Sequence, residues 1–221
     1  MYQTIGVLKT VSYFAFLVLF ILIIKLLISV PADTVGWWKA GSASIGLASV
    51  LVVVLGQTAA FPWICKLPLV RSQFPNIDGT WDAILASNWP LIAPLHSLPV
   101  PASSVTKATI KIVSRLFFVR VDLQSNDQYS KSKTVAVSVK RDPETGAVRL
   151  HYVYENTTSK PKETDTGHHH GAAYLDVEQV GEVVKLEGLY WTNRNWTKGM
   201  NTAGTIVCVR NKTKKSRKPR A

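Results

Sequence analysis

The chain has 221 residues, 26 Lys+Arg against 14 Asp+Glu for a formal net charge of +12, and 47% hydrophobic and 10% aromatic content. That apolar content excludes disorder for most of the chain, and two cysteines, Cys65 and Cys208, cannot build a disulfide-dense secreted scaffold. Residues 210–221 (RNKTKKSRKPRA) supply +7 of the charge, so the middle of the chain is nearly balanced and no duplex DNA or RNA polymer is expected as a partner.

Two membrane spans are predicted at the front. Residues 11–30 (VSYFAFLVLFILIIKLLISV) carry one charge, Lys25, and residues 45–65 (IGLASVLVVVLGQTAAFPWIC) carry none. Each run is long enough to cross about 30 Å of hydrocarbon as a helix. Trp37, Trp38, Phe61 and Trp63 flank them, as interfacial anchoring requires. A cleaved signal peptide is disfavoured because a second span follows at once. Lys9, Lys66 and Arg71 lie on one side, and the short connection has Lys39 offset by Asp33. Multi-pass insertion with both termini cytoplasmic is therefore expected, although Lys25 at the outer end counts mildly against it. Ser42, Gly46 and Ser49 share one helical face, which fits packing against the first span or contact between protomers.

From Pro75 the pattern changes to alternation. Eight short strands are predicted at 79–88, 107–114, 116–125, 133–140, 146–156, 169–179, 182–193 and 200–210. A closed antiparallel barrel or a sandwich follows, and about eight strands is the number at which a barrel can hold one small ligand. Residues 89–106, with four prolines, read as a long irregular excursion or lid. The domain division is 1–66 membrane region, 75–210 barrel and 211–221 basic tail. The tail suits either anionic lipid or solvation without a partner.

Period 2 places Val148, Leu150, Tyr152 and Tyr154 on one face of the fifth strand. It places Val184, Leu186, Gly188, Tyr190 and Thr192 on the inward face of the seventh, with Arg194 inward at its end. An apolar floor then gives way to Tyr, Thr and Arg at one mouth, as in a small-ligand pocket. The alternative is that the tyrosines simply fill the barrel. His168, His169 and His170 alternate faces on a strand, so they cannot converge on one ion, and no metal site is expected. No nucleophile elbow, phosphate loop or carboxylate pair stands out, so neither catalysis nor a cofactor is expected. The Asn156, Asn195 and Asn211 sequons read as chance matches in a cytoplasmic domain.

Several motifs carry a resemblance. Pro75, Gly79 and Trp81 match a P-x-x-x-G-x-W strand opening. Ser130-Lys131-Ser132 matches S-x-S, and Tyr152-Val153-Tyr154 matches Y-x-Y. His169, Gly171 and Ala173 match H-x-G-x-A. Leu186, Gly188, Tyr190 and Arg194 match L-x-G-x-Y-x-x-x-R, and Thr202-Ala203-Gly204 matches T-x-G. In this order, one per strand behind two spans, the chain resembles the two-transmembrane β-barrel effectors of CBASS, the bacterial cyclic-oligonucleotide anti-phage systems. The resemblance covers residues 5–210 or so; the histidine triplet and the basic tail depart from it. It implies a barrel that binds a cyclic dinucleotide, homo-oligomer assembly on activation, and disruption of the inner-membrane lipid in abortive infection. The implied binding residues are Tyr154, Tyr190, Thr192 and Arg194, with Tyr152 and Ser132. Trp81 joins them unless it plugs the barrel end. Tyr faces can stack bases and an Arg fork can take a phosphate. The alternative is a membrane-tethered, lipocalin-like barrel for a lipid or other apolar ligand, which a long apolar lumen without an inward Arg would favour. A third reading is a docking module whose lumen is plugged by its own side chains.

Overall fold

The computed structural model describes residues 1–180 and 183–211, so the basic tail beyond Asn211 lies outside the described residues. Two long helices precede eight strands. Helix α1 spans Val7–Ile28 and α2 spans Thr34–Gln57. Both are long and apolar enough to cross a membrane, and little of either is buried.

The first helix agrees with the predicted span to within a few residues, ending where Ser29 turns extended ahead of Pro31. The second does not coincide with 45–65: it begins 11 residues earlier and ends at Gln57. Asp33 caps its start, with Oδ1 accepting from Gly36 N at 2.7 Å. At the other end the Thr58 hydroxyl donates to Val54 O at 2.5 Å and accepts from Ala60 N at 3.3 Å. Pro62 has no N–H to continue the ladder, and a separate short helix, α3 (Ala60–Ile64), follows. A search for a charge-free run passes over Lys39, which the helix includes. Trp37 and Trp38 accordingly sit inside α2 rather than in the connection.

Helices α1 and α2 pack on each other, with Ser44 and Ala48 fully buried. Ser42, Gly46 and Ser49 are exposed, and a Cβ at Gly46 would meet nothing within 4 Å. The intramolecular seam and the small-residue face of the sequence reading are therefore different faces of α2.

The strands are β1 (Gly79–Ser87), β2 (Val105–Ser114), β3 (Val119–Ser125), β4 (Ser130–Arg141), β5 (Val148–Thr158), β6 (His168–Val180), β7 (Val183–Thr192) and β8 (Ala203–Arg210). They form a closed barrel in sequence order, with β1 returning to β8. Pairing is antiparallel, for example Trp81↔Arg210 through Ser87↔Gly204 and Gly171↔Thr192 through Val180↔Val183. Strand β3 starts three residues later than predicted because Arg115–Phe118 is a tight turn, with Arg115 N donating to Phe118 O at 2.6 Å. The proline-rich stretch is only partly irregular. Its front half forms a short helix, Trp89–Ile92, and a 3₁₀ turn, Ala93–His96, whose Ala93 is fully buried.

Every second residue points inward. Trp81, Ile110, Ile112, Val121, Leu150, Leu175, Leu186, Ile206 and Cys208 are almost wholly buried and form the apolar part of the lumen. By contact density the chain divides into two compact units. One gathers Met1–Asn76 with Ser114–Val119 and Ser138–Val148, and the other holds Ile77–Val113, Arg120–Val137 and the chain from Arg149 on.

The alternation makes a direct comparison possible on one strand. Leu186 is 0% exposed and Leu189 is 42% exposed. Leu186→Ala is expected to cost about 2–5 kcal/mol of stability, and Leu189→Ala to stay within about 0.5 kcal/mol. Denaturant unfolding of the detergent-solubilised chain measures both; equal losses would contradict the assigned faces.

Candidate functional site

The lumen holds a cavity of about 370 Å³ that opens at one end. Its deep wall is Ala108, Ile206 and Tyr152. Its upper wall is polar: Ser87, Ser125, Ser130, Ser132, Asn156, Thr158, Thr192 and Thr202, with Tyr154, Tyr190 and Arg194 among them. Six of the seven residues singled out from sequence, Tyr152, Tyr154, Tyr190, Thr192, Arg194 and Ser132, line this one space.

Trp81 does not. It is 0% exposed, its Nε1 donates to Ile77 O at 3.0 Å, and the Arg210 guanidinium lies 4.4 Å over its ring. It plugs the apolar end of the barrel, the alternative that its inward position at the start of β1 left open.

The three tyrosines reach the cavity by different means. Tyr152 and Tyr154 follow each other on the inward face of β5, their rings 5.8 Å apart. The Tyr154 ring lies where a Cβ on Gly171 of β6 would have to be, so any larger residue there would push the ring aside. Tyr190 comes from β7 and is hydrogen-bonded by the Ser87 side chain. Burial raises the phenol pKa of all three, so each keeps its proton in neutral solution.

Arg194 is held on two sides. Asp165 Oδ1 lies 3.0 Å from its Nε, and its Cζ lies 5.4 Å over the Trp89 ring. The Asp165 side chain is only 4% exposed. The pairing is one of charge: Arg194 Nε is buried and has no hydrogen-bond partner among the described residues. Arg194 Nη2 approaches Thr164 O at 3.5 Å, the outer limit for a hydrogen bond. Thr192 does structural work at the same place. Its hydroxyl contacts the Thr202 hydroxyl at 3.1 Å and accepts from the Arg194 backbone N at 3.3 Å.

Sequence reasoning missed several lining residues. Asn156 and Thr158 simply continue the inward series of β5, and the alternation could have found them. The β5–β6 connection, 159–167, brings Lys162, Thr164 and Asp165 to the mouth. Lys162 N donates to the Tyr129 hydroxyl at 3.1 Å, which ties that connection to the β3–β4 turn. No local pattern announces such a loop. Asp127 also lines the mouth, its carboxyl held below the usual range by the Ser125 hydroxyl and by the Tyr129 backbone N–H.

His169 is the inward member of the histidine triplet and lines the cavity. His168 Nε2 instead lies 3.0 Å from Glu155, and the His168 and His170 rings meet edge-on at 5.2 Å. Among the described residues no group of His, Cys, Asp or Glu is arranged to hold a metal ion.

A closed barrel whose single lumen passes from apolar floor to polar mouth defines a small-ligand-binding barrel. Residues 72–210 match the family model described as Cap15, cyclic dinucleotide receptor domain, and the chain belongs to that family. It is also similar to CD-NTase-associated protein 15 of Escherichia albertii, with 27% identity over 170 residues, covering 76% of this chain and 78% of the relative.

One pH effect follows from the cavity wall. Burial lowers the His169 pKa from 6.5 to about 4, outweighing the nearby Asp165. Between those values the unfolded chain binds a proton that the folded chain does not. The His169 contribution therefore makes stability fall as pH drops from about 6.5 towards 4. His169→Gln is expected to flatten that part of the stability–pH curve, and NMR titration of the imidazole checks the shift directly.

Proposed function

We propose that this chain is a CBASS effector: a cyclic dinucleotide receptor anchored in the bacterial inner membrane. In this reading both termini are cytoplasmic, residues 1–66 form the membrane region and residues 75–210 form the receptor domain. The observation that carries the reading is the convergence of Tyr154, Tyr190 and Arg194 on one polar-mouthed cavity within the segment that matches a cyclic dinucleotide receptor family. Tyr154 and Tyr190 stack the bases, and Arg194 takes a phosphate with its guanidinium. The Tyr152 hydroxyl adds a hydrogen bond from deeper in the lumen and Ser132 one from the polar wall, while Thr192 fixes the backbone from which Arg194 projects. Trp89, stacked on Arg194, holds the fork in place.

The polar lining speaks against the lipocalin-like alternative, which needs an apolar lumen. The open cavity speaks against a plugged docking module. Ligand binding then drives protomers together, and the assembled helices disrupt the membrane. Two helices per protomer cannot enclose a wide pore, so several copies must act side by side. The Ser42–Gly46–Ser49 face, left exposed by the α1–α2 seam, is the proposed contact. A ligand shifts that equilibrium only if it binds the assembled state more tightly.

Calorimetry with a panel of cyclic dinucleotides tests the receptor reading, and heat from no member would overturn it. Arg194→Ala is expected to weaken binding of the cognate ligand by about 10-fold to 100-fold, as for loss of a charge-assisted hydrogen bond. Unchanged affinity would remove Arg194 from the site.

Gly46→Leu is expected to leave ligand affinity intact and to weaken assembly. Cross-linking in membranes with and without ligand reads this out; identical ladders in both samples would refute ligand-controlled assembly.

A further inference from the structure

The turn between β2 and β3 does more than join two strands. Its four residues, Arg115, Leu116, Phe117 and Phe118, belong to the same compact unit as the two long helices. Leu116 N donates to Gly56 O at 2.8 Å, in the last turn of α2. Tyr2 N, just ahead of α1, donates to Leu116 O at 2.8 Å. Gly56 is buried, and a Cβ there would come within 3.0 Å of the Leu116 side chain. One residue of the turn is thus fixed to the start of α1 and to the end of α2 together.

That attachment sets the depth of the turn. Helix α1 has 22 residues and α2 has 24, so each is about 33–36 Å long, close to the thickness of the hydrocarbon core. At most about one turn of α2, and less of α1, extends beyond the lipid. A turn hydrogen-bonded to Gly56 therefore lies within about one helical turn of the edge of the hydrocarbon. Its two aromatic side chains, Phe117 at 50% and Phe118 at 47% exposure, have no apolar cover sufficient to bury them. The Tyr2 ring lies beside Phe117, 5.8 Å away.

The chain leaving α2 has the same character. Trp63 is 65% exposed, and Leu69, on the short helix α4 (Pro68–Arg71), is 89% exposed. Lys66 lies between them, exposed, and Lys9 and Lys140 are exposed in the same unit. Aromatic and aliphatic side chains mixed with lysines, at the ends of two lipid-length helices, have the composition that membrane interfaces select.

We infer that the β2–β3 turn is a membrane-inserted element, with Phe117 and Phe118 seated at the boundary between headgroups and acyl chains. The partner is the bilayer itself. The inference rests on the membrane reading of α1 and α2 given above, and goes beyond it by assigning a part of the barrel to the lipid. A receptor docked in this way is held to the bilayer by its own strand connection as well as by the chain through α2.

Nitroxide scanning of the full chain in nanodiscs of phosphatidylethanolamine and phosphatidylglycerol (3:1) tests it. Phe117→Cys and Phe118→Cys are labelled singly, the native Cys65 and Cys208 being buried. Leu19→Cys, halfway along α1, and Lys133→Cys, exposed on β4, serve as lipid and water references. The expected result is that labels at 117 and 118 collide with oxygen more than with a water-soluble nickel chelate, as at 19 and unlike 133. Labels at 117 and 118 that behave like 133, while 19 reports lipid, overturn the inference and leave the membrane reading standing. A label at 19 that reports water overturns the membrane reading itself. Should the cysteine variants fail to fold, Phe117→Trp keeps an aromatic ring in the turn, and quenching of its added fluorescence by brominated acyl chains carries the same test: quenching beyond that of the parent chain is expected, and none overturns the inference.

Discussion

Closure of β1 on β8 is the constraint from which the rest follows. A sheet that closes on itself has one inside, and alternation along eight strands then delivers every second side chain to a single lumen. The closure is tight where it matters. Gly204 stands opposite Ser87, and a Cβ there would overlap the carbonyl oxygen of Ala86. Gly188, on the neighbouring strand, meets the carbonyl of Tyr174 in the same way. With no side chains at these two points the neighbouring backbones approach closely. Tyr190 and Thr192 are carried to the mouth by a strand whose path depends on Gly188.

The fold was legible because its two halves use different periods. An unbroken apolar run cannot be mistaken for a half-buried strand once it exceeds about 18 residues, and the alternation after Pro75 gave all eight strands. What the pattern misplaced were ends. The limits of α2 depend on Asp33 as a cap and on the Thr58 hydroxyl turning back on the helix, two hydrogen bonds that a hydropathy window does not register. The start of β3 depends on a four-residue turn rich in apolar side chains, which reads as strand until Arg115 is seen to close on Phe118. The prolines of 89–101 suggested irregularity, yet Pro90 and Pro94 sit in first turns of short helices, where a missing N–H is not needed.

The cavity was legible to the extent that it is made of strands. The spaced motifs are lumen positions: S-x-S, Y-x-Y, H-x-G-x-A and L-x-G-x-Y step by two because only alternate residues face inward. That logic places Tyr152, Tyr154, Tyr190 and Ser132 together without any tertiary information. It gives the wrong neighbour for Trp81, since an inward position says nothing about height along the lumen. It is silent on residues that reach the mouth from loops. Asp165 and Lys162 lie well over 20 positions from Arg194 in sequence, and Trp89 lies further still, so only the folded chain reveals that the arginine is already paired and stacked.

That pairing bears on what kind of anion the mouth can accept. Lys162 and Arg194 are opposed by Asp127 and Asp165, so the lining carries no excess of charge, and the neutral His169 adds none. A broad, shallow positive surface that would gather any polyanion is not what these residues build. A phosphate entering here must compete with Asp165 for a guanidinium whose Nε has charge attraction but no hydrogen bond. It can win that competition only if it supplies the aligned contact that Asp165 lacks, and if the rest of the ligand is held by the tyrosine faces at the same time. In the proposed reading, discrimination comes from the joint demand for stacking and for a well-placed anion, which a small, rigid, doubly charged molecule meets and a flexible polymer or a lipid tail does not.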